Sequence, residues 1–374
     1  MRILFAGGGT AGHINPALAV AGYIRDNYPD TKILFVGNEN GMEQRLVKQA
    51  GFEIKSIVIN GLKRSMSPKA IAQNIKTVFR AQKAVSLSKK IIKEFAPDIC
   101  IGTGGYVSGP VLKAAQSLKI PTVIHEQNAF PGVTTKMLSK KADAVMLAIE
   151  DAKKYLNENC NFVLTGNPIR TEILLADKEQ ARKKLGLDNR PVVLSFGGSL
   201  GARKINENVA QLIARSGKDG KYNHIHAYGQ YGKWFPDMLL QKGCDINKCP
   251  NLDIREYIND MPVCLAAADV VICRAGAISL CEIEAKGKPS ILIPSPNVAE
   301  NHQYYNAMAL VNKKAALVIE EKDLTPQKII EAVDMLLSDK KVLEQYGKNA
   351  ESMAITDANE RIYNVIRQTL QKRK

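Results

Sequence analysis

The sequence predicts an α/β protein built from two similar halves, each a doubly wound parallel sheet. Apolar runs of strand length alternate with longer segments of helical period, which is typical of parallel sheets covered on both faces. Both halves open alike, with "ILFAGGGTAGH" at the start of the chain and "VVLSFGGSLGAR" near its middle. A length of 374 residues also suits two domains. Ligands of such sheets bind beyond the carboxyl ends of the strands.

The strands are predicted from short apolar runs that have turn-forming residues at both ends. In the first half they are expected at Ile3–Ala6, Lys32–Val36, Ile54–Ile59, Ile99–Gly102, Thr122–His125, Ala144–Leu147 and Phe162–Leu164. In the second half they are expected at Val192–Phe196, His224–Ala227, Leu252–Glu256, Val270–Cys273, Ser290–Ile293 and Ala316–Ile319.

The chain is expected to cross between domains near "LTGNPIR", where Gly166, Pro168 and a short polar turn suit a boundary. The predicted domains are residues 1–165 and 166–355. A C-terminal helix is expected at roughly Ala358–Gln371, within 356–374. The sequence leaves open whether this helix packs back on the first half.

Composition argues against several classes of protein. Apolar residues make up 45 % and charged residues 24 % of the chain, as in ordinary globular proteins. The sequence has no apolar run of about 18 residues and no signal-peptide pattern, so neither a transmembrane helix nor a secreted protein is expected. The seven cysteines are scattered, and Cys244 and Cys249 lack the spacing of a zinc site. A reducing cytoplasm fits this cysteine usage.

Positive charge is concentrated in one segment. The formal net charge is +15, and residues 55–93 hold ten Lys or Arg and no acidic residue. Part of the segment has helical period, with an apolar face and flanking basic residues formed by Ile71, Ile75, Val78 and Phe79 and by Lys69, Lys76, Arg80 and Lys83. This pattern predicts an anionic bilayer surface as partner. The alternative is an ordinary amphipathic helix that packs inward. Nucleic acid is not expected, because few aromatic residues interleave the charges.

Three glycine-rich turns follow predicted strands. Gly7, Gly9 and Gly12 match G-x-G-x-x-G, which alone is a weak sign of a dinucleotide site. Asn15-Pro16 is expected to open the next helix, with His13 left in the loop. The other two turns are "GGSLGAR" and "GTGGYVSGP". Because glycine N–H groups and helix N-termini attract phosphates, three such turns predict a large phosphorylated ligand between the domains, whereas one alone is compatible with a plain tight turn.

A further strand-to-helix turn, "CRAGAISLCEIEAKGKP", lies in the second half. Gly276 and Ala277 are expected to begin the helix, and Glu282 follows about a turn and a half later. A carboxylate there can accept hydrogen bonds from both hydroxyls of a ribose. The alternative is a solvated carboxylate or a helix-dipole partner, for which Glu282 comes late. The chain has no D-x-D motif, so a diphosphate is expected to be neutralised by helix N-termini and basic side chains, without an obligatory metal.

Seven motifs occur in a specific order over nearly the whole chain: "GGTAGHINPALAVA", "GTGGYVSGP", "HEQNAFPG", "GNPIR", "GGSLGA", "CRAGAISLCE" and "ENHQYYNA". In this order they resemble the MurG family of bacterial glycosyltransferases. The chain departs at Ala11, where many relatives have another loop glycine, and at His302, where some have a second glutamine. The resemblance implies the GT-B architecture, two Rossmann-like domains with the active site in the cleft between them, and no cofactor.

The resemblance further implies an inverting transfer of N-acetylglucosamine in peptidoglycan synthesis. The donor is UDP-N-acetylglucosamine, and the acceptor is the C4 hydroxyl of a muramyl pentapeptide on undecaprenyl diphosphate. The implied donor-binding residues are Thr10, Ala11, Gly12, Asn128 and Arg170 from the first half and Ser199, Ile258, Ala277, Ile278, Ser279, Leu280, Cys281, Glu282 and Gln303 from the second. The implied contacts to the acceptor diphosphate are Gly9, Gly104, Gly105 and Tyr106.

The general base stays open between two residues. His13 is one candidate, because histidine is the residue type that most often serves as a general base, and the other interpretation of it is a loop histidine that positions substrate. Glu126 in "HEQN" is the second candidate, and His125 beside it is expected to be structural. The implied partners are the two substrates, the cytoplasmic face of the membrane and proteins of cell-wall synthesis.

Two rival functions remain. One is another enzyme of the same architecture, such as a UDP-N-acetylglucosamine 2-epimerase, which would need neither the basic segment nor a loop like "GTGGYVSGP". The other is a non-catalytic recruiter that binds a UDP-sugar at the membrane, and such proteins often carry one half only.

Overall fold

The computed structural model describes residues 1–59 and 68–373, and for residues 68–81 it describes the backbone alone. The chain forms two compact units. Unit 1 comprises Met1–Pro168 together with Asp357–Lys374, and unit 2 comprises Ile169–Thr356. The predicted domain boundary, after residue 165, lies three residues before the end of the first segment of unit 1. Arg170, which was expected in the first half, lies in unit 2.

The strands are β1 Arg2–Gly7, β2 Lys32–Asn38, β3 Glu53–Ile57, β4 Ile99–Gly104, β5 Thr122–Glu126, β6 Ala144–Leu147, β7 Phe162–Leu164, β8 Val192–Phe196, β9 Asn223–Ala227, β10 Leu252–Arg255, β11 Val270–Cys273, β12 Ser290–Leu292 and β13 Ala316–Val318. Every predicted strand is present, and the ends differ from the prediction by at most two residues.

The α-helices are α1 Ala11–Asn27, α2 Glu43–Gln49, α3 Pro68–Phe95, α4 Gly105–Ser117, α5 Val133–Leu138, α6 Thr171–Leu175, α7 Lys178–Lys184, α8 Arg203–Asp219, α9 Phe235–Gln241, α10 Met261–Ala267, α11 Ala277–Ala285, α12 His302–Val311, α13 Pro326–Ser338, α14 Lys340–Glu351 and α15 Ala358–Gln371. Short 3₁₀ helices lie at Ser139–Lys141, Glu150–Tyr155, Ile246–Lys248, Ala299–Asn301 and Glu321–Asp323.

Unit 1 is built on a parallel sheet in the order β3-β2-β1-β4-β5-β6-β7. Successive side chains of a strand point to opposite faces, so Ile3 and Phe5 pack with α1 and α15, whereas Leu4 packs with α3 and α4 on the other side. The C-terminal helix α15 therefore covers this sheet. Its Tyr363 ring stacks on Tyr28, with centroids 4.0 Å apart.

Unit 2 has a parallel sheet in the order β10-β9-β8-β11-β12-β13. Its main core joins Val193 and Ile272 of the sheet to Ile205 of α8, Phe235 of α9 and Val333 of α13. In both units the order turns back beside the first strand, β1 or β8, at the point where doubly wound sheets bind ligands. The predicted fold class of two doubly wound α/β domains is confirmed.

Two predicted helix starts were wrong. The first helix begins at Ala11 instead of Asn15-Pro16, so His13 lies in the first turn of α1 and Pro16 lies inside it. The second begins at Gly105, which shortens the predicted "GTGGYVSGP" loop to a direct strand-to-helix turn with Pro110 inside α4. Each proline is the sixth helical residue and removes only one bond, to a carbonyl in the first turn. The helix tolerates this loss because it comes next to the exposed end.

Candidate functional site

Three polar segments meet at the carboxyl edge of the unit 1 sheet, where β1, β4 and β5 are neighbours. They are the glycine turn before α1, the Gly104–Gly105 turn before α4, and residues 125–128 after β5. Thr10, Ala11 and Gly12 are exposed at this edge, and His13 is half-buried beside them. The segments therefore form one polar surface, in which the imidazole of His13 is half-buried and that of His125 is buried.

The imidazole of His13 lies against the second glycine turn. A Cβ atom on Gly104 would lie 2.7 Å from His13 Nδ1, and one on Gly105 would lie 3.3 Å from His13 Cδ2. Both glycines have a positive φ, 100° and 74°, a backbone conformation that residues other than glycine rarely adopt. Thr103 Oγ1 also donates to the His13 carbonyl at 2.8 Å. The sequence resemblance implies that Gly104 and Gly105 contact the acceptor diphosphate. In the structure they also leave the space that the imidazole of His13 occupies.

One side of the His13 ring enters a chain of hydrogen bonds, which we call the histidine–amide chain. His13 Nδ1 lies 3.1 Å from Gln127 Oε1. Gln127 Nε2 lies 3.0 Å from His125 Nδ1, and His125 Nε2 lies 2.9 Å from the Gly166 carbonyl. His125 is buried, and burial lowers its pKa. Among the described residues, no side chain bonds His13 Nε2.

The second candidate base, Glu126, is buried and already accepts four hydrogen bonds. Asn128 donates to Oε1 from its backbone N at 3.1 Å and from Nδ2 at 3.2 Å. Gly132 N and Thr135 Oγ1 donate to Oε2 at 3.1 and 2.6 Å. A carboxylate engaged in this way stabilises the loop and orients Asn128, and its lone pairs are not offered to a substrate.

A buried carboxylate that the sequence analysis did not select lies beneath the first glycine turn. Glu43 accepts from Gly9 N at 3.3 Å and from Asn38 N at 2.8 Å. Its carboxylate occupies space left by glycines, since a Cβ on Gly8 would lie 2.5 Å from Glu43 Oε1. The Gly9 N–H, expected to face the acceptor diphosphate, therefore points to Glu43. No role was predicted for Glu43, and Gly37 and Gly41, which come shortly before it in the sequence, were the available signal.

Tyr106, the last of the expected diphosphate contacts, leans over the same turn. A Cβ on Gly9 would lie 2.7 Å from its ring, and its hydroxyl lies 3.4 Å from Asn38 Nδ2. The half-buried phenol thus covers the glycine turn from the α4 side.

The predicted donor residues of unit 2 lie at the carboxyl edge of its sheet. Glu282 is buried on α11 and pairs with Arg170, Nε to Oε1, at 2.8 Å. Burial lowers the pKa of the Arg170 guanidinium, but the hydrogen bond that Arg170 donates to Glu282 and the negative charges of Glu282 and Glu172 together outweigh burial, so the net shift of this pKa is upward. The first turn of α11 contains no acidic residue and no side-chain cap. Its N–H groups at Ala277, Ile278 and Ser279 remain suited to an anion.

The other predicted donor residues differ in what they present. Ser199 is exposed in the turn after β8, and its carbonyl accepts from Gln230 N at 3.2 Å. Ile258 is buried after β10. Gln303 lies in the first turn of α12, where Oε1 accepts from Ser295 N at 2.8 Å. Leu280 and Cys281 are buried in α11, and the N–H of Leu280 already donates to the Gly276 carbonyl at 3.0 Å.

Family models match both units. Residues 3–147 match the glycosyltransferase family 28 N-terminal domain, and residues 192–362 match the glycosyltransferase family 28 C-terminal domain. The two matches together span most of the chain, including both glycine-rich edges described above.

Named relatives resemble the chain over its full length. The UDP-N-acetylglucosamine--N-acetylmuramyl-(pentapeptide) pyrophosphoryl-undecaprenol N-acetylglucosamine transferase of Acetivibrio thermocellus is 49 % identical, covering 100 % of this chain and 99 % of that protein. The crystal structure of Acinetobacter baumannii MurG has a TM-score of 0.78 at 27 % identity, covering 98 % and 99 % of the two chains. A UDP-GlcNAc 2-epimerase from Neisseria meningitidis shares the fold alone, with a TM-score of 0.65 at 16 % identity over both full chains.

Proposed function

The chain belongs to glycosyltransferase family 28 and to its MurG branch, and from this premise we propose that it transfers N-acetylglucosamine from UDP-N-acetylglucosamine to the C4 hydroxyl of undecaprenyl-diphosphate-linked muramyl pentapeptide. The observation that carries the proposal is the full-length similarity to a relative of that name at 49 % identity. The rival epimerase function has only a shared fold at 16 % identity in its favour.

In the proposed reaction, unit 2 binds the donor. Glu282 accepts hydrogen bonds from the ribose hydroxyls, and the backbone of Ile258 binds uracil. The first turn of α11 receives the diphosphate. Since Arg170 pairs with Glu282 at 2.8 Å, the ribose competes with this guanidinium, which can then turn to the diphosphate. The charge that develops on departing UDP is thus met by an arginine and a helix start.

Unit 1 supplies the base. His13 Nε2 takes the proton of the acceptor hydroxyl while that oxygen forms a bond to C1 of the sugar. The bond from C1 to the diphosphate oxygen breaks at the same time, and UDP leaves with its electron pair. One displacement inverts the anomeric centre. Glu126 acts as a positioning residue in this scheme, because its oxygens hold the loop and Asn128.

We further propose that unit 1 contacts the cytoplasmic face of an anionic membrane. In its described part, α3 buries Ala84, Ser88, Ile91 and Ile92 and exposes Lys83, Leu87, Lys90 and Lys93. This inward apolar face agrees with the amphipathic alternative, while the outer face keeps the positive charge. The side chains of Ile71, Ile75, Val78, Phe79, Lys69, Lys76 and Arg80 lie outside the described residues.

A second element strengthens the membrane proposal. On α5, Val133 and Met137 are 64 % and 57 % exposed. The Nζ of Lys136 on the same helix lies 3.8 Å from the centre of the Phe130 ring, and Lys140 and Lys141 are exposed in the 3₁₀ helix that follows. Met137 Cε comes within 3.9 Å of a Cβ position on Gly109 in α4, so α5 adjoins the helix that follows the second glycine turn. Exposed apolar side chains close in sequence to lysines suit insertion among anionic lipid headgroups. Among the described residues, no helix is long and apolar enough to cross a bilayer.

The proposed function is tested by incubating the chain with UDP-N-acetylglucosamine, with and without a short-chain lipid-linked muramyl acceptor. We expect release of UDP and a glycosylated product only when acceptor is present. Conversion of the donor to its 2-epimer without acceptor would support the epimerase instead. Tight donor binding with no turnover under either condition would support the non-catalytic recruiter.

A further inference from the structure

In the histidine–amide chain, the donor or acceptor role of each group follows from that of its neighbour. Every proton can therefore be assigned, starting from the Gly166 carbonyl at the buried end. The Gly166 carbonyl can only accept a hydrogen bond, so His125 Nε2, 2.9 Å away, carries a proton and donates it. Burial lowers the pKa of His125 and favours its neutral form. His125 Nδ1 is therefore an acceptor.

This result orients the amide of Gln127. The group that faces His125 Nδ1 at 3.0 Å must be a donor, which is the NH₂ group, and it also donates to the His125 carbonyl at 2.9 Å. The amide cannot be turned over without placing its oxygen against a lone pair and a carbonyl. Gln127 Oε1 consequently faces the other way, toward His13.

The last step concerns His13 itself. Its Nδ1 lies 3.1 Å from an amide oxygen that can only accept, so the neutral ring satisfies this contact with its proton on Nδ1. We propose that Gln127, held by His125, is a positioning residue that fixes the tautomer of His13 so that Nε2 carries the lone pair. The proposal rests on the proposed function, in which that lone pair accepts the proton of the sugar hydroxyl.

Packing around the ring supports a fixed orientation. His13 lies over Gly104 and Gly105, where a Cβ atom would lie 2.7 Å from Nδ1 and 3.3 Å from Cδ2. Glu126, next to Gln127 in the chain, is occupied by its four donors. Among the described residues, Gln127 is the side chain that bonds the ring of His13.

The consequence is chemical. A neutral imidazole in water exchanges between two tautomers, and the hydrogen bond at one nitrogen decides which nitrogen keeps the proton. A base is useful only if its lone pair faces the substrate, so a ring with the proton on Nε2 could not accept one there. Gln127 contributes to the rate without contacting substrate, which separates it from His13 in experiments.

The test combines one variant with a matched control. Gln127→Met removes all three side-chain hydrogen bonds of this amide at similar size. The control is Gln116→Met, which deletes another partly buried amide of unit 1, bonded to Thr122 Oγ1 and the Leu138 carbonyl and not to His13. For Gln127→Met we expect kcat to fall about 10- to 100-fold. This is less than the loss expected when the base is removed, because a fraction of the molecules still has the His13 proton on Nδ1 and can use Nε2 as the base. KM for UDP-N-acetylglucosamine should stay unchanged.

A second measurement reports the tautomer directly. The chain has five histidines, so ¹⁵N-histidine labelling gives few signals, and the His13 signals are identified by their loss in His13→Gln. At about pH 8, where histidine is mostly neutral, wild type should show a protonated Nδ1 and an unprotonated Nε2 on His13. Gln127→Met should show a mixture, and Gln116→Met should match wild type.

Several results would overturn the proposal. A wild-type His13 with its proton on Nε2 contradicts it whatever the variants do. So does an unchanged His13 tautomer in Gln127→Met, or a changed tautomer with unchanged kcat. If wild type shows the expected tautomer but transfers no sugar, the failure lies with the proposed function, and the role of Gln127 in catalysis falls with it while the proton assignment stands.

Discussion

Two histidine networks, one in each unit, use similar groups and end differently. In unit 1, the histidine–amide chain runs from the Gly166 carbonyl to a half-buried His13 whose Nε2 bonds no described side chain. In unit 2, Ser195 Oγ lies 2.7 Å from His224 Nε2 and 2.8 Å from His226 Nδ1. All three of these side chains are fully buried between β8 and β9. We call them the serine–histidine cluster.

The difference shows how burial decides what a histidine can do. Burial lowers the pKa of His226 to about 3 and that of His224 well below its usual value, and the charge of His226 lowers the pKa of His224 further. Both rings therefore stay neutral and no solvent reaches them, so the cluster can only contribute to the core. His13 has one nitrogen fixed by an amide and the other directed to an accessible edge. The same residue type thus contributes to the core in unit 2, and in the proposed mechanism it acts as the base in unit 1.

The largest expected effect separates the two networks directly. His13→Ala should lower kcat by roughly 100-fold or more, as expected for loss of a general base, and should leave the melting temperature nearly unchanged. His226→Ala should instead reduce the stability of unit 2 by about 2–4 kcal/mol, through a cavity and a lost hydrogen bond, with turnover per folded molecule preserved. Steady-state kinetics and thermal melts of both variants check this. A loss below tenfold for His13→Ala would demote it to positioning.

The next effect concerns donor binding and two carboxylates of one helix. Glu282→Ala should raise KM for UDP-N-acetylglucosamine by about 10- to 150-fold, since hydrogen bonds to a charged acceptor contribute roughly 1.5–3 kcal/mol. Glu284→Gln is the matched control, because Glu284 is equally buried on α11 but burial raises its pKa to about 8, so it is already neutral. Its KM should equal that of wild type. Calorimetry with UDP checks both variants, and equal affinity in all three proteins would remove Glu282 from the ribose site.

A smaller effect is the pH dependence of unit 2. The unfolded chain protonates His224 and His226 near pH 6.5 whereas the folded chain does not, so each histidine makes stability fall as pH drops below 6.5. Glu284 acts in the opposite direction, because it keeps its proton in the folded chain up to about pH 8 and loses it near 4.5 when unfolded.

Between about pH 4.5 and pH 6.5, these three groups together should give wild type a net slope of about 1.4 kcal/mol per pH unit, which corresponds to one proton, with lower stability at the acidic end. Glu284→Gln should roughly double it, because two uncompensated histidines remain. Urea unfolding at a series of pH values measures the slope. A variant slope equal to that of wild type would show that Glu284 is ionised in the folded chain.

The smallest expected effect concerns membrane binding and compares surface lysines of unit 1 with a surface lysine of unit 2. Lys83→Gln or Lys93→Gln in unit 1 should each weaken binding to anionic vesicles by about 1 kcal/mol, or roughly fivefold, and less at high salt. Lys340→Gln is the control, since this lysine is 87 % exposed on α14 of unit 2. Co-sedimentation with vesicles that contain anionic lipid checks the series. Equal weakening by all three substitutions would mean that binding follows net charge and not the surface of unit 1.

The sequence was most informative where local pattern decides structure. Apolar runs such as Val192–Phe196 and Val270–Cys273 coincide with β8 and β11, because a fully buried parallel strand needs a continuous apolar run. Pattern was less informative at turns. Proline usually marks a helix start, yet Pro16 lies inside α1, since Gly8 to Thr10 complete the turn before it.

Side-chain roles at the site depended on contacts between distant parts of the chain. No local pattern shows that Glu126 is engaged by Gly132 and Thr135, or that Glu43 bonds the N–H of Gly9. Gln127 was quoted within a motif but received no role, because its function arises from His13, 114 positions earlier in the chain. Such pairings follow from sheet order, which places β1, β4 and β5 side by side.

The most direct test of the account is the stereochemistry and stoichiometry of the product. The chain is incubated with UDP-N-acetylglucosamine, whose sugar is α-linked, and a short-chain lipid-linked muramyl acceptor. NMR then gives the anomeric configuration of the new bond, and a coupled assay counts UDP. A single displacement assisted by His13 predicts a β-linked disaccharide and one UDP for each bond formed. An α-linked product, or UDP released without a glycosidic bond, would contradict the account.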